Sequence, residues 1–362
     1  MNGQKTAFLE LLPPYPSVNP DFLILGGGII GLSTALELAR DGARVTVVER
    51  GVAGGESSWA GGGILSPLLP WNYAAPVNQL CDLGSALYPD WVADLQSATG
   101  IDPEYWRCGM RVLPPFDADA ASDWCAQHGW PLVQDDNALW LPEVSQVRNP
   151  RLIKALRAAV LARGIRLVEG AKIAAVTRDG SHLSAVDTTH GRMAAATYIV
   201  TAGAWSQTVL GELAPHWPIK PMRGQMLLFR AEPGLLSHVI LQQGIYLIPR
   251  RDGHILVGST VEDVSFDKST TDTARTMLHT AAIALLPALK SVPVIQHWSG
   301  LRPGSVDNIP TIARHPMIEN LYANTGHFRY GVTMAPASAR LLADLIADRH
   351  TALNVMNYQW MP

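Results

Sequence analysis

The sequence predicts a mixed α/β fold (α/β with α+β parts) of two domains, the first built around a parallel sheet and the second on a mainly antiparallel sheet. The chain has 362 residues, which is about the length of two ordinary domains. Near its start an apolar strand, a helix and a second strand follow one another, an order typical of a parallel sheet. Further along, several short strands follow one another without helices, which favours an antiparallel sheet.

The first strand–helix–strand unit begins at Asp21. Phe22–Leu25 is a short apolar strand, and apolar positions then recur at helical spacing from Ile29 to Arg40. Arg44–Glu49 is a second strand that ends on a carboxylate. The two strands are therefore expected to lie side by side and parallel.

Later parts of the chain carry two more helices and a series of strands. Asn149 is a candidate N-cap, Pro150 takes the first helical position and Gly164 closes the C-terminus of the first of these helices. A last helix is predicted from about Pro336 to Asp348. The predicted strands are Arg166–Val168, Ile173–Thr177, His182–Asp187, Tyr198–Val200, Met226–Arg230, Ile245–Pro249 and Ile255–Gly258.

Composition excludes several classes of protein. The net charge of −3 shows no basic excess, so composition gives no reason to expect a nucleic-acid partner. With 48% hydrophobic and 16% charged residues the chain does not have the composition of a disordered protein. Cys81, Cys108 and Cys125 cannot form a disulfide framework, which favours a cytoplasmic location. Met1–Pro20 lacks the apolar core of a secretory signal, and no continuous apolar run is long enough for an integral membrane segment.

The glycines after the first strand match a dinucleotide-binding fingerprint. Gly26 permits the tight turn, Gly28 lets the backbone approach a pyrophosphate, and Gly31 lets the helix pack close to the strand. The phosphates would rest at the positive N-terminus of the helix, near Ile29 and Ile30. Glu49, at the end of the second strand, suits a carboxylate that accepts hydrogen bonds from ribose hydroxyls.

A second glycine-rich loop indicates FAD and not NAD as the dinucleotide. Residues 54–63 read GGESSWAGGG and follow the acidic strand end directly. They offer further backbone N–H groups and two hydroxyls to a long cofactor, which an NAD site does not need at this place. As a result, 11 of the 31 glycines lie within residues 26–63. The uncharged continuation Ile64–Leu69 is expected to be buried, against a flavin ring.

Five motifs in order along the chain mark a family resemblance. They are Gly26–Gly31 with Glu49, then ESSWAGGGI, TAGAW, GLRPGS and GHFRYG. In this arrangement the chain resembles the D-amino-acid-oxidase superfamily of FAD enzymes and, within it, the glycine oxidases of thiamine biosynthesis. The resemblance runs from about Asp21 to Asp348. It implies a Rossmann-like FAD-binding domain made of residues 21–85, 150–220 and 300–362, a substrate-binding domain made of 86–149 and 221–299, and an N-terminal extension over 1–20.

The resemblance also implies which residues contact FAD, held without a covalent link. His327–Thr333 is expected at the isoalloxazine ring and Val176 at the adenine. Because this loop leads to the last helix, the positive helix N-terminus would stabilise negative charge on the reduced ring. The full set is Gly26, Gly28, Ile29, Ile30, Gly31, Glu49, Arg50, Ser57, Ser58, Gly62, Gly63, Ile64, Val176, His327, Phe328, Arg329, Tyr330, Gly331, Val332 and Thr333.

The activity that the resemblance implies is oxidative deamination of glycine, sarcosine, small D-amino acids and related amines. A hydride passes from the substrate α-carbon to flavin N5, and the products are the 2-oxo acid, ammonia or an amine, and hydrogen peroxide. The cofactor supplies the redox step, so the protein must bind and orient the substrate. A buried carboxylate needs a partner, and the planar fork of arginine fits it. Arg302 matches the family's carboxylate-binding arginine, Tyr246 the phenol that helps it, and Arg329 a second arginine near the site.

Tyr330 departs from the family pattern. Related glycine oxidases commonly have asparagine at this position beside the flavin loop. A bulkier side chain here is expected to reshape the pocket and change the size of the substrate that it accepts.

Two other functions remain open from the sequence. One is a dehydrogenase of D-amino acids or proline-like amines that passes electrons to a quinone, and the other is a non-catalytic FAD-binding redox module. The expected partners are a small amino-acid or amine substrate and molecular oxygen, and both a monomer and a homo-oligomer are compatible with the sequence. No metal is expected, since the histidines form no HxH or HExxH pattern.

Overall fold

The computed structural model describes residues 19–360 except 136 and 215–216. Residues 1–18 of the expected N-terminal extension therefore lie outside the described part of the chain. The helices are α1 Ile29–Arg40, α2 Ser57–Ala60, α3 Ala75–Thr99, α4 Ala118–His128, α5 Asn149–Ala162, α6 Ser206–Leu210, α7 Asp272–Leu285 and α8 Gly331–Ile346. The strands are β1 Phe22–Leu25, β2 Val45–Val48, β3 Trp106–Arg107, β4 Met110–Val112, β5 Val133–Asp135, β6 Ala138–Leu141, β7 Ser145–Gln146, β8 Arg166–Val168, β9 Ile173–Asp179, β10 His182–Thr188, β11 Gly191–Met193, β12 Thr197–Val200, β13 Lys220–Arg230, β14 Val239–Gln242, β15 Ile245–Pro249, β16 His254–Gly258, β17 Val294–Gly304, β18 Thr311–Arg314 and β19 Leu321–Thr325.

The first sheet has six strands in the order β18-β19-β12-β1-β2-β8. All its neighbours are parallel except β18 and β19, which form an antiparallel pair at one edge. β1 lies between β12 and β2, so its carboxyl end opens at the centre of the sheet. In parallel sheets ligands bind beyond the carboxyl ends of the strands, and the glycine loop that follows β1 occupies this position.

The two faces of the first sheet are covered by different layers. Helices α1, α3, α5 and α8 pack on one another over one face. The apolar core there includes Ile24, Leu32, Val47 and Leu342. Leu23, Leu25 and other residues of the opposite face pack in a second core with the small antiparallel sheet β11-β10-β9. Because both faces are covered, the short strands β1 and β2 are almost wholly apolar.

The second sheet has eight strands in the order β17-β13-β16-β15-β14-β4-β6-β5. It is antiparallel except for the pair β14 and β4. Side chains alternate between its faces: Leu247 packs toward α7, whereas Tyr246 and Ile248 belong to the core shared with the first sheet's helices. Tyr246 therefore faces the first sheet.

The predicted mixed α/β fold with a mainly antiparallel second sheet is confirmed. The boundaries expected at residues 85/86, 220/221 and 299/300 fall inside α3, β13 and β17. No helix in the described part of the chain is long and apolar enough to cross a membrane.

Two details of the predicted helices are wrong. Asn149 does not cap α5: it is the first helical residue after Arg148, and its Nδ2 donates to the Ser58 carbonyl at 2.9 Å. The last helix begins at Gly331 and encloses Pro336. Proline has no N–H to donate to the carbonyl four residues earlier. That carbonyl, on Val332, instead accepts a 2.6 Å hydrogen bond from the Tyr88 hydroxyl, so the helix can include the proline although it starts five residues earlier.

Candidate active site

The glycine loop between β1 and α1 is closed by contacts that a side chain would break. Gly26 has φ of +121°, a conformation that favours glycine. A Cβ on Gly31 would lie 2.0 Å from the Gly26 carbonyl oxygen, which also accepts a 2.7 Å hydrogen bond from the Thr201 hydroxyl. Gly31 therefore lets the helix start directly against the loop, as the fingerprint predicts.

Glu49 is buried at the carboxyl end of β2 and fastens the loops on both sides. Its Oε2 accepts the Gly27 N–H at 2.8 Å, and its Oε1 accepts the Gly51 N–H at 2.8 Å. Each carboxylate oxygen keeps a further lone pair, so the group can still accept a hydroxyl proton. Glu49 is thus placed rigidly at the point where the fingerprint predicts a ribose.

The N-terminus of α1 is joined to the second glycine-rich loop. The Ile29 N–H donates to Ser58 Oγ at 2.9 Å, and Ser58 belongs to the short helix α2 within this glycine-rich segment. The Ser58 hydroxyl therefore sits at the positive end of α1 with its own proton free to donate. A phosphate at this place would be bound by the serine hydroxyl as well as by the helix N-terminus.

One elongated cavity connects these loops with the second sheet. Its lining includes all but three of the residues predicted to hold the cofactor, and Tyr246, Arg302 and Arg329 predicted for the substrate. The lining residues from the prediction are Gly26, Gly28, Ile29, Ile30, Glu49, Arg50, Ser57, Ser58, Gly62, Gly63, Ile64, His327, Phe328, Arg329, Tyr330, Gly331 and Val332.

Three predicted cofactor residues are not among those that line the cavity. Gly31 packs against the Gly26 carbonyl, as described above. Val176 pairs with Val186 in the β9–β10 hairpin and packs against the second core. Thr333 is fully buried and its hydroxyl donates to the Ile64 carbonyl at 3.2 Å. Of the hairpin region, Ile173 reaches the cavity.

Arg302 and Tyr246 meet at one end of the cavity, on the inner face of the second sheet. Arg302 Nη1 donates to the Thr260 carbonyl at 3.1 Å and Nη2 donates to Ser259 Oγ at 2.6 Å. Burial lowers the pKa of Arg302, an effect opposed by the nearby Tyr246 and reinforced by the charge of Arg329. Arginine nevertheless remains a cation at neutral pH. The site therefore presents a fixed positive charge with N–H groups left for an anion.

Room for the Tyr246 ring comes from glycines. A Cβ on Gly258, its neighbour across the β15–β16 pair, would lie 2.8 Å from the ring. A Cβ on Gly62 would lie 2.6 Å from Ile248 and 3.4 Å from Tyr246. The second glycine-rich loop can therefore approach the sheet closely only because it carries no side chain at this position.

The loop before α8 supplies the wall opposite the sheet. Tyr330 is buried, its hydroxyl accepts the Leu68 N–H at 3.3 Å, and its ring meets Tyr73 edge-on at 5.1 Å. Burial raises the pKa of Tyr330, so it stays neutral. Burial also lowers the pKa of His327 to about 3, so this histidine is uncharged at neutral pH. Arg329 is exposed, with its guanidinium 5.9 Å from the centre of the Phe328 ring.

Two buried polar atoms at this wall have no hydrogen-bond partner among the described residues: His327 Nε2 and Asn324 Oδ1. Both residues line the cavity. Buried polar groups are normally paired, so unpaired ones at a cavity indicate a bound polar group. Together with the glycine loops and Glu49 at the far end, they fit a long dinucleotide with a polar ring system.

Several lining residues were missed by the sequence reasoning. Thr201 and Trp205 follow β12, the strand beside β1, and belong to the TAGAW motif, so their place at the carboxyl end of a parallel strand was a usable signal. Ser259 lines the substrate end, yet nothing in its local sequence indicates this. In the described part of the chain, no cluster of His, Cys, Asp or Glu is arranged to hold a metal ion.

The chain is similar to known FAD-dependent oxidoreductases along most of its length. The family model "DAO: FAD dependent oxidoreductase" matches residues 21–345. The chain is 40% identical to a glycine oxidase of Pseudomonas aeruginosa over 353 residues, 93% of this chain and 97% of the relative. It is 32% identical to a "Bifunctional protein ThiO/ThiG" of Nostoc sp., covering 91% of this chain and 53% of that protein.

A solved structure shares the whole architecture. The crystal structure of glycine oxidase from Geobacillus kaustophilus superposes with a TM-score of 0.90 at 26% identity, covering 95% of this chain and 98% of that one. The family resemblance seen in the five sequence motifs is thereby confirmed. The chain belongs to the DAO family of FAD dependent oxidoreductases, and FAD is its cofactor.

Proposed function

We propose that this protein oxidises glycine and small primary or secondary amines such as sarcosine and small D-amino acids, and that oxygen is the electron acceptor. The observation that carries the proposal is the Arg302 guanidinium held beside Tyr246 at one end of the FAD cavity. A fixed cation in a mostly apolar pocket binds a small carboxylate in one orientation. The likeness to glycine oxidases supports glycine as the substrate.

The protein's part in the reaction is to bind and orient. FAD, when bound, supplies the hydride acceptor, N5 of the flavin. Arg302 pairs with the substrate carboxylate and the Tyr246 hydroxyl donates to the same group, which directs the α-carbon into the cavity. Tyr330 and Tyr73 close the wall and exclude water. Burial lowers the pKa of His327 to about 3, which makes it a weak base, so we infer that the substrate amine arrives deprotonated.

The chain's organisation fits this role. We infer an FAD-binding domain built on the first sheet and a substrate domain built on the second, with Tyr246 and Arg302 both contributed by the second sheet. The likeness to ThiO/ThiG proteins supports a role in thiamine biosynthesis. The three described cysteines are free and buried, which supports a reducing, cytoplasmic setting.

A substrate panel tests the proposal. The purified flavoprotein is expected to convert glycine and sarcosine with one peroxide formed per substrate consumed. Reduction of a quinone dye at a rate insensitive to oxygen, without peroxide, would identify an amine dehydrogenase instead. Flavin absorbance that glycine fails to bleach under anaerobic conditions would point to a non-catalytic FAD module.

Tyr330 is expected to limit substrate size. Replacing Tyr330 with alanine removes the ring that meets Tyr73, and should shift the ratio of kcat/KM toward D-amino acids with larger side chains by about tenfold or more relative to glycine. Tyr330→Phe keeps the ring and loses only the contacts of the hydroxyl, with the Leu68 N–H and with Tyr73, so it should keep the wild-type preference. An unchanged ratio in the alanine variant would show that another residue sets the size of the pocket.

A further inference from the structure

Gly224 lies in the middle of β13, opposite Gly300 of β17 and two residues along the strand from Met222, the register partner of Arg302. A Cβ on Gly224 would lie 2.1 Å from Arg302 Nη1 and 2.5 Å from both Cζ and Nη2. The whole guanidinium therefore packs on the bare Cα of Gly224. The φ of Gly224 is not in the left-handed region, so the backbone does not itself require glycine there. Glycine is required at position 224 because the Arg302 guanidinium occupies the space that a side chain would fill.

The other sides of the guanidinium are held by the segment after β16. Ser259 Oγ and the Thr260 carbonyl accept its hydrogen bonds at 2.6 and 3.1 Å. The Thr260 hydroxyl accepts the N–H of Gln225 at 2.9 Å and donates to Glu262. Gln225, which follows Gly224 on β13, thus holds the segment whose Ser259 hydroxyl and Thr260 carbonyl accept from Arg302.

This segment is anchored a second time by a buried charge. Arg223, 4% exposed, pairs with Glu262 and Asp267 at 2.6 Å each. Glu262 also accepts from Gln225 Nε2 at 2.9 Å. Residues 223–225 therefore form the surface on which the Arg302 guanidinium packs and also hold the segment that carries its two acceptors. The guanidinium is thus restrained from both sides.

We propose that Gly224 and Ser259 are positioning residues for carboxylate binding: Gly224 provides the space and Ser259 the acceptor that aim the Arg302 fork at the substrate. The proposal rests on the proposed function insofar as the bound anion is the substrate carboxylate. Any side chain at position 224 displaces the guanidinium from the strand and from its two acceptors. Because a bidentate contact depends on geometry, a shift of this size weakens anion binding.

The test measures anion binding directly, with acetate as the probe and the flavin absorbance of the holoenzyme as the readout. Gly224→Ala should raise the Kd of acetate and the KM of glycine by about 10- to 100-fold, with a smaller effect on kcat. Ser259→Ala should raise both by a few-fold. Gly304→Ala is the matched control: it lies on the same strand pair, but its Cβ would meet the Met222 side chain at 2.7 Å, and acetate binding should stay as in the wild type.

A double-mutant cycle separates positioning from general damage. In an Arg302→Ala background, Gly224→Ala and Ser259→Ala should have little further effect on acetate binding, because the group that they position is gone. Equal losses with and without Arg302, or wild-type acetate binding in both single variants, would overturn the proposal. If the Gly224→Ala protein does not retain flavin, acetate binding by the Ser259→Ala variant, alone and in the Arg302→Ala background, tests the proposal in its place. A wild-type protein that binds acetate through Arg302 but does not oxidise glycine would refute the proposed function and leave this inference standing.

Discussion

Replacing Arg302 with alanine is expected to raise the KM for glycine by about 100- to 4,000-fold, the largest kinetic effect that we expect from a single substitution. Removing one partner of a desolvated charge pair costs about 3 to 5 kcal/mol, and each 1.4 kcal/mol is a factor of ten. The carboxylate contact exists in both the bound substrate and the transition state, so kcat should fall much less than kcat/KM. Steady-state peroxide production over a range of glycine concentrations measures both.

Arg302→Lys is the matched control for this experiment. Lysine keeps the charge but has no planar fork, and it cannot reach the Thr260 carbonyl and Ser259 Oγ in the same geometry. It should restore only part of the lost affinity. Flavin absorbance of each variant checks that the cofactor is retained. Glycine kinetics unchanged in the alanine variant would refute the proposed carboxylate contact.

The second large effect is expected at the other end of the cavity. Glu49→Ala should raise the Kd of FAD by about 10- to 100-fold, because hydrogen bonds to a charged group contribute about 1.5 to 3 kcal/mol each. The change also leaves the Gly27 and Gly51 N–H groups without their acceptor, which loosens both loops around the cofactor. Titration of the apoprotein with FAD, followed by flavin fluorescence, gives the Kd.

Two variants control the Glu49 experiment. Glu49→Gln keeps the size of the side chain, but its amide nitrogen cannot accept an N–H, so FAD affinity should be intermediate. Glu37→Ala removes a carboxylate from α1 whose partners are Arg40 and Arg340, away from the glycine loop, and should bind FAD as the wild type does. An FAD Kd that Glu49→Ala leaves unaltered would show that this carboxylate does not contribute to cofactor binding.

Much of the first sheet and of the cofactor loops follows from local sequence. The bounds of β1, α1 and β15 agree with the prediction, because apolar periodicity and glycine punctuation reflect local backbone preferences. Gly26, Gly28 and Glu49 could be named as site residues for the same reason: a strand, a tight turn and a helix lie next to one another in the chain. The roles of Arg302 and Tyr246 came from the family resemblance and not from periodicity or spacing.

The proline inside α8 is accommodated by a contact between distant parts of the chain. The Tyr88 hydroxyl, from α3, satisfies the carbonyl that Pro336 cannot, and no local rule for proline could anticipate it. Val176 illustrates the opposite case: its strand was predicted, but the packing of the hairpin turns it toward the second core, and Ile173 lines the cavity.

By itself the sequence determined a parallel α/β unit with a dinucleotide loop, an antiparallel sheet, and a family whose members use FAD. Only the tertiary structure decided how Arg302 is held: Gly224 and Ser259 lie 78 and 43 positions away in the chain, and strand register brings them to its guanidinium. The physical reason is that helices, turns and glycine loops depend on neighbouring residues. The floor and walls of a pocket depend instead on which strands pair and how two sheets pack, and these are settled by the whole chain at once.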